Sequence, residues 1–358
     1  MKRSDRMEGA EAGGRTDAQG IPQGRKWGLS GSTIKLIAVA AMLIDHTAAA
    51  VLARRIIANN RGLAIMDAGS GAFGWMADRA LLFAVYRIMR LIGRLGFPIF
   101  CFLLAEGFVR TGNVKKYALR LGIFALISEI PFDLALSGRI YNPGYQNVYF
   151  TLFAGLCCLW TIRLLSQGMD KLRGKKGTGA KAGTFVPALG ILFLVAGVLS
   201  PAGYLFAFVE KPRELNGTEP WKLFAGLCVL SAALLGTYGL EKGLGCLQRV
   251  CGNITVLVLF MMLAELLQTD YAGMGVLTIG IIYFLRDRKA LSMIGGSTVL
   301  TIMNSTEITA FFTAIPVALY NGKRGLRMKY FFYAFYPVHL LLLYLISVWM
   351  GLGEIYLL

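Results

Sequence analysis

Residues 35–53 read KLIAVAAMLIDHTAAAVLA. Apart from Lys35 and the Asp45–His46 pair the stretch is apolar, and as a helix it is long enough to cross a hydrocarbon core of about 30 Å. Unpaired backbone groups are too costly in lipid, so such a stretch is expected to be helical. The first span is placed at about 33–53.

The same reading extends outward along the chain. Further spans are expected near 93–110, 114–136, 147–166, 184–209, 222–240, 253–269, 272–286, 290–304, 306–320 and 330–350, with an interfacial helix at 73–92. The expected fold class is therefore all-α, a polytopic transmembrane helix bundle of about ten to eleven spans in a single domain, 32–358. Residues 1–31 are polar and glycine-rich and read as a disordered cytoplasmic tail; they lack the early apolar stretch of a secretory signal. Composition agrees with the bundle. The 358 residues are 56% hydrophobic, with mean hydropathy +0.59, and only 16% are charged, where a soluble domain would carry about 25%.

A formal charge of +17 invites a nucleic-acid reading. Its distribution argues against one, because the basic residues sit in short loops and form no compact basic domain. Loops 110–117, 163–182, 241–250, 286–290 and 321–329 carry 18 Lys and Arg, against 4 in the alternate loops. The basic set is therefore expected on the cytoplasmic face of a plasma (inner) membrane, with the N-terminus on the same side. Six arginines do not fit this frame: Arg54, Arg55, Arg61, Arg79, Arg87 and Arg90 would face outward. Either an extra span exists there, or they serve a surface helix or an anionic partner. Of the six cysteines most lie in apolar spans and read as small hydrophobes, and no metal site is expected.

Ionisable groups inside spans are costly unless paired or lining a cavity, which makes them the first candidates for function. Both histidines of the chain, His46 and His339, fall within spans, as do Asp45, Glu106, Glu129, Asp133, Glu265 and Glu307. Lys35 and His46 are eleven residues apart. On a helix that separates them by only about 20° around the axis and by roughly 16 Å along it. One face then carries a cation at the cytoplasmic edge and an imidazole near mid-membrane. A phosphate-bearing donor whose reactive end enters the membrane fits that arrangement, with a neutral imidazole able to accept a proton. Asp45 lies about 100° away on the helix and needs a partner from elsewhere; Arg94, in GRLGFPIF, is the candidate. Glu129 and Asp133 share a face and either bind an acceptor or cap a broken helix. Lys323 and Arg324 follow an Asn-Gly turn and are candidate phosphate contacts. His339, just after Pro337, is expected to line the same cavity as His46, together with Tyr336.

At this point the residues resemble a family. IDH at 44–46, GRLGFPIF at 93–100, EGFVRTGN at 106–113, KYALRL at 116–121 and ISEIPFD at 127–133 are followed by QNVYFTL at 146–152, YNGKRG at 320–325 and FFYAFYPVHL at 331–340. Together they are similar to the TraX family, whose named member acetylates the N-terminus of conjugative pilin. The resemblance covers 32–343 and is thin over 165–265. TraX is in turn similar to the acyltransferase-3 group of membrane enzymes, which carry a basic residue, ten intervening positions and a histidine on their first span. Lys35 and His46 match that spacing.

The resemblance implies an acetyl-CoA-dependent acyltransferase, with His46 central and Lys35 assisting the donor. Asp45, Arg94 and Glu106 are expected to orient His46 and line its cavity, and Arg120, Lys323 and Arg324 to meet coenzyme A phosphates. Glu129, Asp133, Asn147, Tyr336 and His339 are expected toward the acceptor. His46 would act as a general base or as a nucleophile. The acceptor is an unidentified protein N-terminus, glycan or small molecule, and nothing here ties it to pilin. The rival from another class is a proton-coupled secondary transporter or flippase, using the buried carboxylates and histidines as a relay. Transporters often show two related halves, and this chain has no such symmetry.

Overall fold

The computed structural model describes residues 27–60, 78–174, 244–326 and 329–353. Most of the expected tail, the basic connector after residue 174 and the expected spans at 184–209 and 222–240 lie outside the described residues. What is described is an all-α bundle.

Its first helix, α1 (Gly31–Thr47), starts where Ser30 accepts a hydrogen bond from the Thr33 amide, satisfying one of the open donors of the first turn. It runs without interruption through a π-helical turn (Ala48–Leu52) into α2 (Ala53–Asn60). The resulting 30-residue rod is about 45 Å long. A π turn this close to His46 places the helix irregularity beside the candidate residue, where such turns are often found.

The segment expected to lie in the interface is instead half of a broken span. Helix α3 (Arg79–Gly93), capped by Asp78, passes through a two-residue break into α4 (Gly96–Arg110), and together they make a 32-residue apolar stretch. This also accounts for several misfit arginines without an extra span. Arg54 is fully buried and donates to the Leu134 and Ala135 carbonyls at 2.8 and 2.9 Å, satisfying open carbonyls at the end of α5 (Val114–Ser137). Arg79 donates to the Asn59 carbonyl at 3.0 Å, and Arg90 pairs with Asp45.

Helices α6 (Val148–Gly174), α7 (Leu244–Leu266), α8 (Ala272–Phe284) and α9 (Lys289–Met303) follow. A 3₁₀ segment (Ser305–Thr313), the short α10 (Ala314–Ala318) and α11 (Lys329–Trp349) complete the chain. Among the described residues, five helical stretches are long and apolar enough to cross a membrane: Gly31–Asn60, Arg79–Arg110, Val148–Gly168, Arg249–Leu266 and Tyr330–Trp349. The protein is thus a multi-pass membrane protein. The expected span at 306–320 is not a continuous α-helix, because the 3₁₀ segment occupies its first half.

Helix α8 is the buried centre, packed against α4, α6, α7 and α9. Small residues let its neighbours approach. A Cβ at Gly155 on α6 would meet Ile279, and one at Gly296 on α9 would meet Ile282, the close packing by which membrane helices associate without a hydrophobic drive between them. Leucines and isoleucines on the outer faces of α5 and α11, among them Leu126, Ile130, Leu342 and Leu345, are exposed, as lipid-facing side chains are.

One end of the bundle is basic and tied down. Loop 319–326 carries Lys323 and Arg324 and is laced to the start of α1 by Leu29–Leu319, Gly31–Lys323 and Ser32–Arg324 backbone bonds of 2.8–3.0 Å. Arg110 and Lys289 donate to the Gly322 and Tyr320 carbonyls of that loop. From this end α8 and α9, with 13 and 15 residues, reach only about 20 and 22 Å. Their far ends therefore stop near the depth of His46, and the rods around them continue past it. The 267–271 turn leads into α8 at this depth, with Thr269 fully buried. Gln268, Tyr271 and Ala272 in that turn all have positive φ, an unusual backbone for non-glycine residues.

Candidate functional site

The two histidines meet. His46 Nδ1 lies 2.7 Å from His339 Nε2, and the rings stack with centroids 5.0 Å apart. His339 Nδ1 lies 2.7 Å from the Phe335 carbonyl, one turn earlier on α11 and beside the Pro337 kink. Tyr336 sets its ring edge-on to both imidazoles at 5.6 and 5.7 Å, and Tyr149 packs on Tyr336 at 4.8 Å. His339 is 4% exposed, whereas His46 is half-buried. The pair is thus held in an aromatic box between α1, α6 and α11, with His46 on the open side.

Lys35 faces the same helix. Its ammonium lies 5.4 Å from the Phe332 ring. Phe332 and His339 are seven residues apart, two turns of α11, so Lys35 and His46 lie along one stripe of that helix. Arg324 is within electrostatic reach of Lys35, and Arg120 hydrogen-bonds Tyr333, which stacks on Phe124 at 4.9 Å. Lys323 and Arg324 are exposed on the basic loop. Glu106 belongs to this end as well. It is bound by Arg110 at 2.5–2.6 Å, about 18 Å along the helix from Arg94, and it does not bond His46.

On its other side α1 presents Asp45 to α3. Asp45 pairs with Arg90 at 2.6 Å, not with Arg94 as the sequence reading supposed; Arg94, at the α3–α4 break, reaches Glu307 at 2.8 Å and hydrogen-bonds Tyr271. The helix break swings Arg94 toward the 3₁₀ segment and leaves Arg90, one turn earlier, opposite Asp45. Asp270 completes this cluster. Its carboxylate accepts from the Tyr145 hydroxyl at 2.9 Å, its carbonyl accepts from Thr151, and it feels the charges of Arg94, Asp45 and Arg90. Burial pushes the Asp270 carboxyl up to about 6 and that of Glu307 up to about 7, both on segments outside the spanning helices and both against the opposing pull of the arginines. Asp270 is not among the expected site residues, and Arg90 stands there only among the misfit arginines that could serve an anionic partner. The signal for Asp270 was a lone carboxylate in the short turn QTDYAG between two apolar stretches.

Gly93 is required where α3 crosses Asp45: a Cβ there would overlap the Asp45 side chain. Gly93→Ala is expected to push α3 off α1, break the Asp45–Arg90 pair and cost about 1–3 kcal/mol, the range for overpacking. A lowered unfolding temperature for this variant, with Gly168→Ala unchanged as a control in open space, checks it.

Glu129, Asp133 and Asn147 lie together at the junction of α5 and α6. Glu129 accepts from both the backbone and the side chain of Asn147, Asn147 donates to the Ala125 carbonyl at 2.8 Å, and Asp133 accepts from the Asn142 amide at 2.7 Å. These groups bond the α5–α6 connection to itself, and none of them bonds the histidine pair.

Comparison with known proteins gives a family match over most of the chain. The family model described as TraX protein matches residues 30–237 and, in a second segment, 180–347. A probable fimbrial assembly protein FimC, serogroup H1, of Dichelobacter nodosus is 32% identical over 133 residues, which cover 35% of this chain and 43% of that protein. The chain thus spans less than half the length of that curated relative. No solved structure matches.

Proposed function

The chain belongs to the TraX family, and from that premise we propose that it is an integral membrane acyltransferase moving an acetyl group from coenzyme A to an amine or hydroxyl acceptor. The observation that carries the reading is the meeting of the only two histidines of the chain, on a helical stripe whose other end holds Lys35 among further cations.

The donor set fits coenzyme A. Lys35, Arg120, Lys323 and Arg324 offer charge to its phosphates at the basic end, and the rise from Lys35 to His46 is roughly 16 Å, a span an extended pantetheine arm can cover. Coenzyme A supplies an activated thioester there. His46 takes the proton of the attacking amine or hydroxyl, or attacks the acyl carbonyl itself. Its Nε2 has no hydrogen-bond partner among the described residues, so that nitrogen is available. Tyr149, Tyr336 and Phe335 exclude water from the rings, which strengthens each electrostatic contact. The acceptor is proposed to approach on the side of α1 that carries Asp45, toward Asp270 and Glu307.

With the basic loops cytoplasmic, donor enters from inside and acceptor from outside an inner membrane. The similarity to a protein named for fimbrial assembly favours an acceptor at the cell surface. Two further readings support acyl transfer over transport: the histidine pair is directly bonded rather than spread along a path, and the sequence has no related halves.

Purified protein is expected to bind coenzyme A and to release free thiol from acetyl-CoA in the presence of acceptor. Failure to bind, together with proton-coupled uptake into vesicles, would establish the transporter instead. Lys35→Gln is expected to raise KM for acetyl-CoA about tenfold with kcat little changed, the pattern of a lost ground-state contact to a charged group. An unchanged KM would remove Lys35 from the donor site.

A further inference from the structure

We infer that His339 is a positioning residue that selects which nitrogen of His46 is free, through a hydrogen-bond chain anchored on the Phe335 carbonyl. The catalytic consequence of this selection rests on the proposed reaction, but the assignment of the hydrogens stands on geometry alone.

A carbonyl oxygen can only accept, so His339 Nδ1, 2.7 Å from the Phe335 carbonyl, carries a hydrogen. A neutral imidazole has one N–H, and the other nitrogen accepts. His339 Nε2 is therefore a lone pair. His46 Nδ1, 2.7 Å from it, must donate. With its single hydrogen on Nδ1, neutral His46 presents Nε2 as the unprotonated nitrogen, which is the form a base or nucleophile needs. Among the described residues no carboxylate bonds either ring. Asp45, next to His46 in sequence, is turned to Arg90. The usual acid partner of a catalytic histidine is thus replaced by a second histidine and a main-chain carbonyl.

The arrangement also has a consequence during turnover. When His46 Nε2 takes up the acceptor's proton, its Nδ1 hydrogen can shift to His339 Nε2. The positive charge then spreads over two stacked rings instead of resting on one. Return of the hydrogen to His46 Nδ1 restores the resting state once Nε2 gives its proton to the departing thiolate. No electrons or extra reactants are needed, and the proton count closes.

The chain has two histidines, so full-length protein labelled with 15N-imidazole histidine gives the spectrum of two rings only. Both rings are expected in the Nδ1–H form, with a coupling across the hydrogen bond between the protonated nitrogen of one and the bare nitrogen of the other. Finding His46 in the Nε2–H form, or no coupling, overturns the inference whatever the activity of the protein. His339→Phe is expected to let the Nε2–H form of His46 appear and to lower the transfer rate about 100-fold, within the range of lost general-base catalysis, with KM for acetyl-CoA unchanged. His339→Gln, whose amide oxygen can accept the Nδ1 hydrogen, is expected to keep the Nδ1–H form and most of the rate. An unchanged His46 tautomer in His339→Phe sinks the proposal. Wild-type protein that shows the coupled Nδ1–H pair but transfers no acyl group would instead refute the acyltransferase reading and leave the assignment standing.

Discussion

His46→Ala is expected to lower acyl transfer by about 10² to 10⁴-fold, the contribution of a positioned general base, while coenzyme A binding is retained. The two effects separate because the cations proposed to face the donor, Lys35, Arg120 and Arg324, sit at the basic end, roughly three turns from His46 along α1. The side chain is half-buried at the open edge of its aromatic box, so the truncation leaves a space beside His339 without removing the packing of Tyr336 on Tyr149. Thermal unfolding of the variant should therefore stay close to that of the parent. Thiol release measured with saturating donor and acceptor reads the effect. Transfer at the parental rate would mean that the reaction runs elsewhere in the molecule.

Arg94→Met is expected to have the largest effect on stability. Glu307 is 1% exposed, and Arg94 is its ion-pair partner. Removing one member of a buried pair costs about 3–5 kcal/mol where the remaining charge cannot be neutralised, and less where Glu307 takes up a proton, about 1.4 kcal/mol for each pH unit above its folded value. The loss should depend on pH. Burial raises the folded carboxyl of Glu307 from its ordinary value of 4.5 to about 7, although Arg94 pulls it down. A raised carboxyl contributes stability that is fully present below about pH 4.5 and is lost as pH rises through about 7. Without Arg94 the carboxyl rises further. The penalty of Arg94→Met is then small near pH 5, where Glu307 is protonated, and grows toward pH 8. Unfolding curves of the two proteins across that range test this, and a penalty of constant size would contradict it. The double variant Arg94→Met with Glu307→Leu should recover much of the loss, because the two side chains are coupled and an apolar pair can replace a buried ionic one.

The sequence reading and the structure part at identifiable places. The residues at 73–92, with Arg79, Arg87 and Arg90 among the outward misfits, are expected as an interfacial helix. In the bundle those arginines have partners, and the helix is the outer half of a broken span. Asp45 is expected to pair with Arg94, an arginine from another helix. One helical turn decided otherwise, since the break at 94–95 redirects Arg94 to Glu307. Glu106 is expected near His46 as a carboxylate inside a span, yet it lies at the basic end with Arg110. Asp270 escaped notice because its importance comes from neighbours contributed by α1, α3 and the α5–α6 connection.

What the chain determined by itself was local. Apolar runs of spanning length dictate helices in lipid, because the backbone has no other way to satisfy its own hydrogen bonds there. The helical period alone aligned Lys35 with His46 on one face. Which helix that face would meet was decided by packing. His46 found a partner 293 residues away, and the break at 94–95 gave Arg94 to Glu307. A side chain's azimuth on its own helix follows from 100° per residue, but its neighbour depends on how all the helices fit together, and that sum of contacts is not written in any single span.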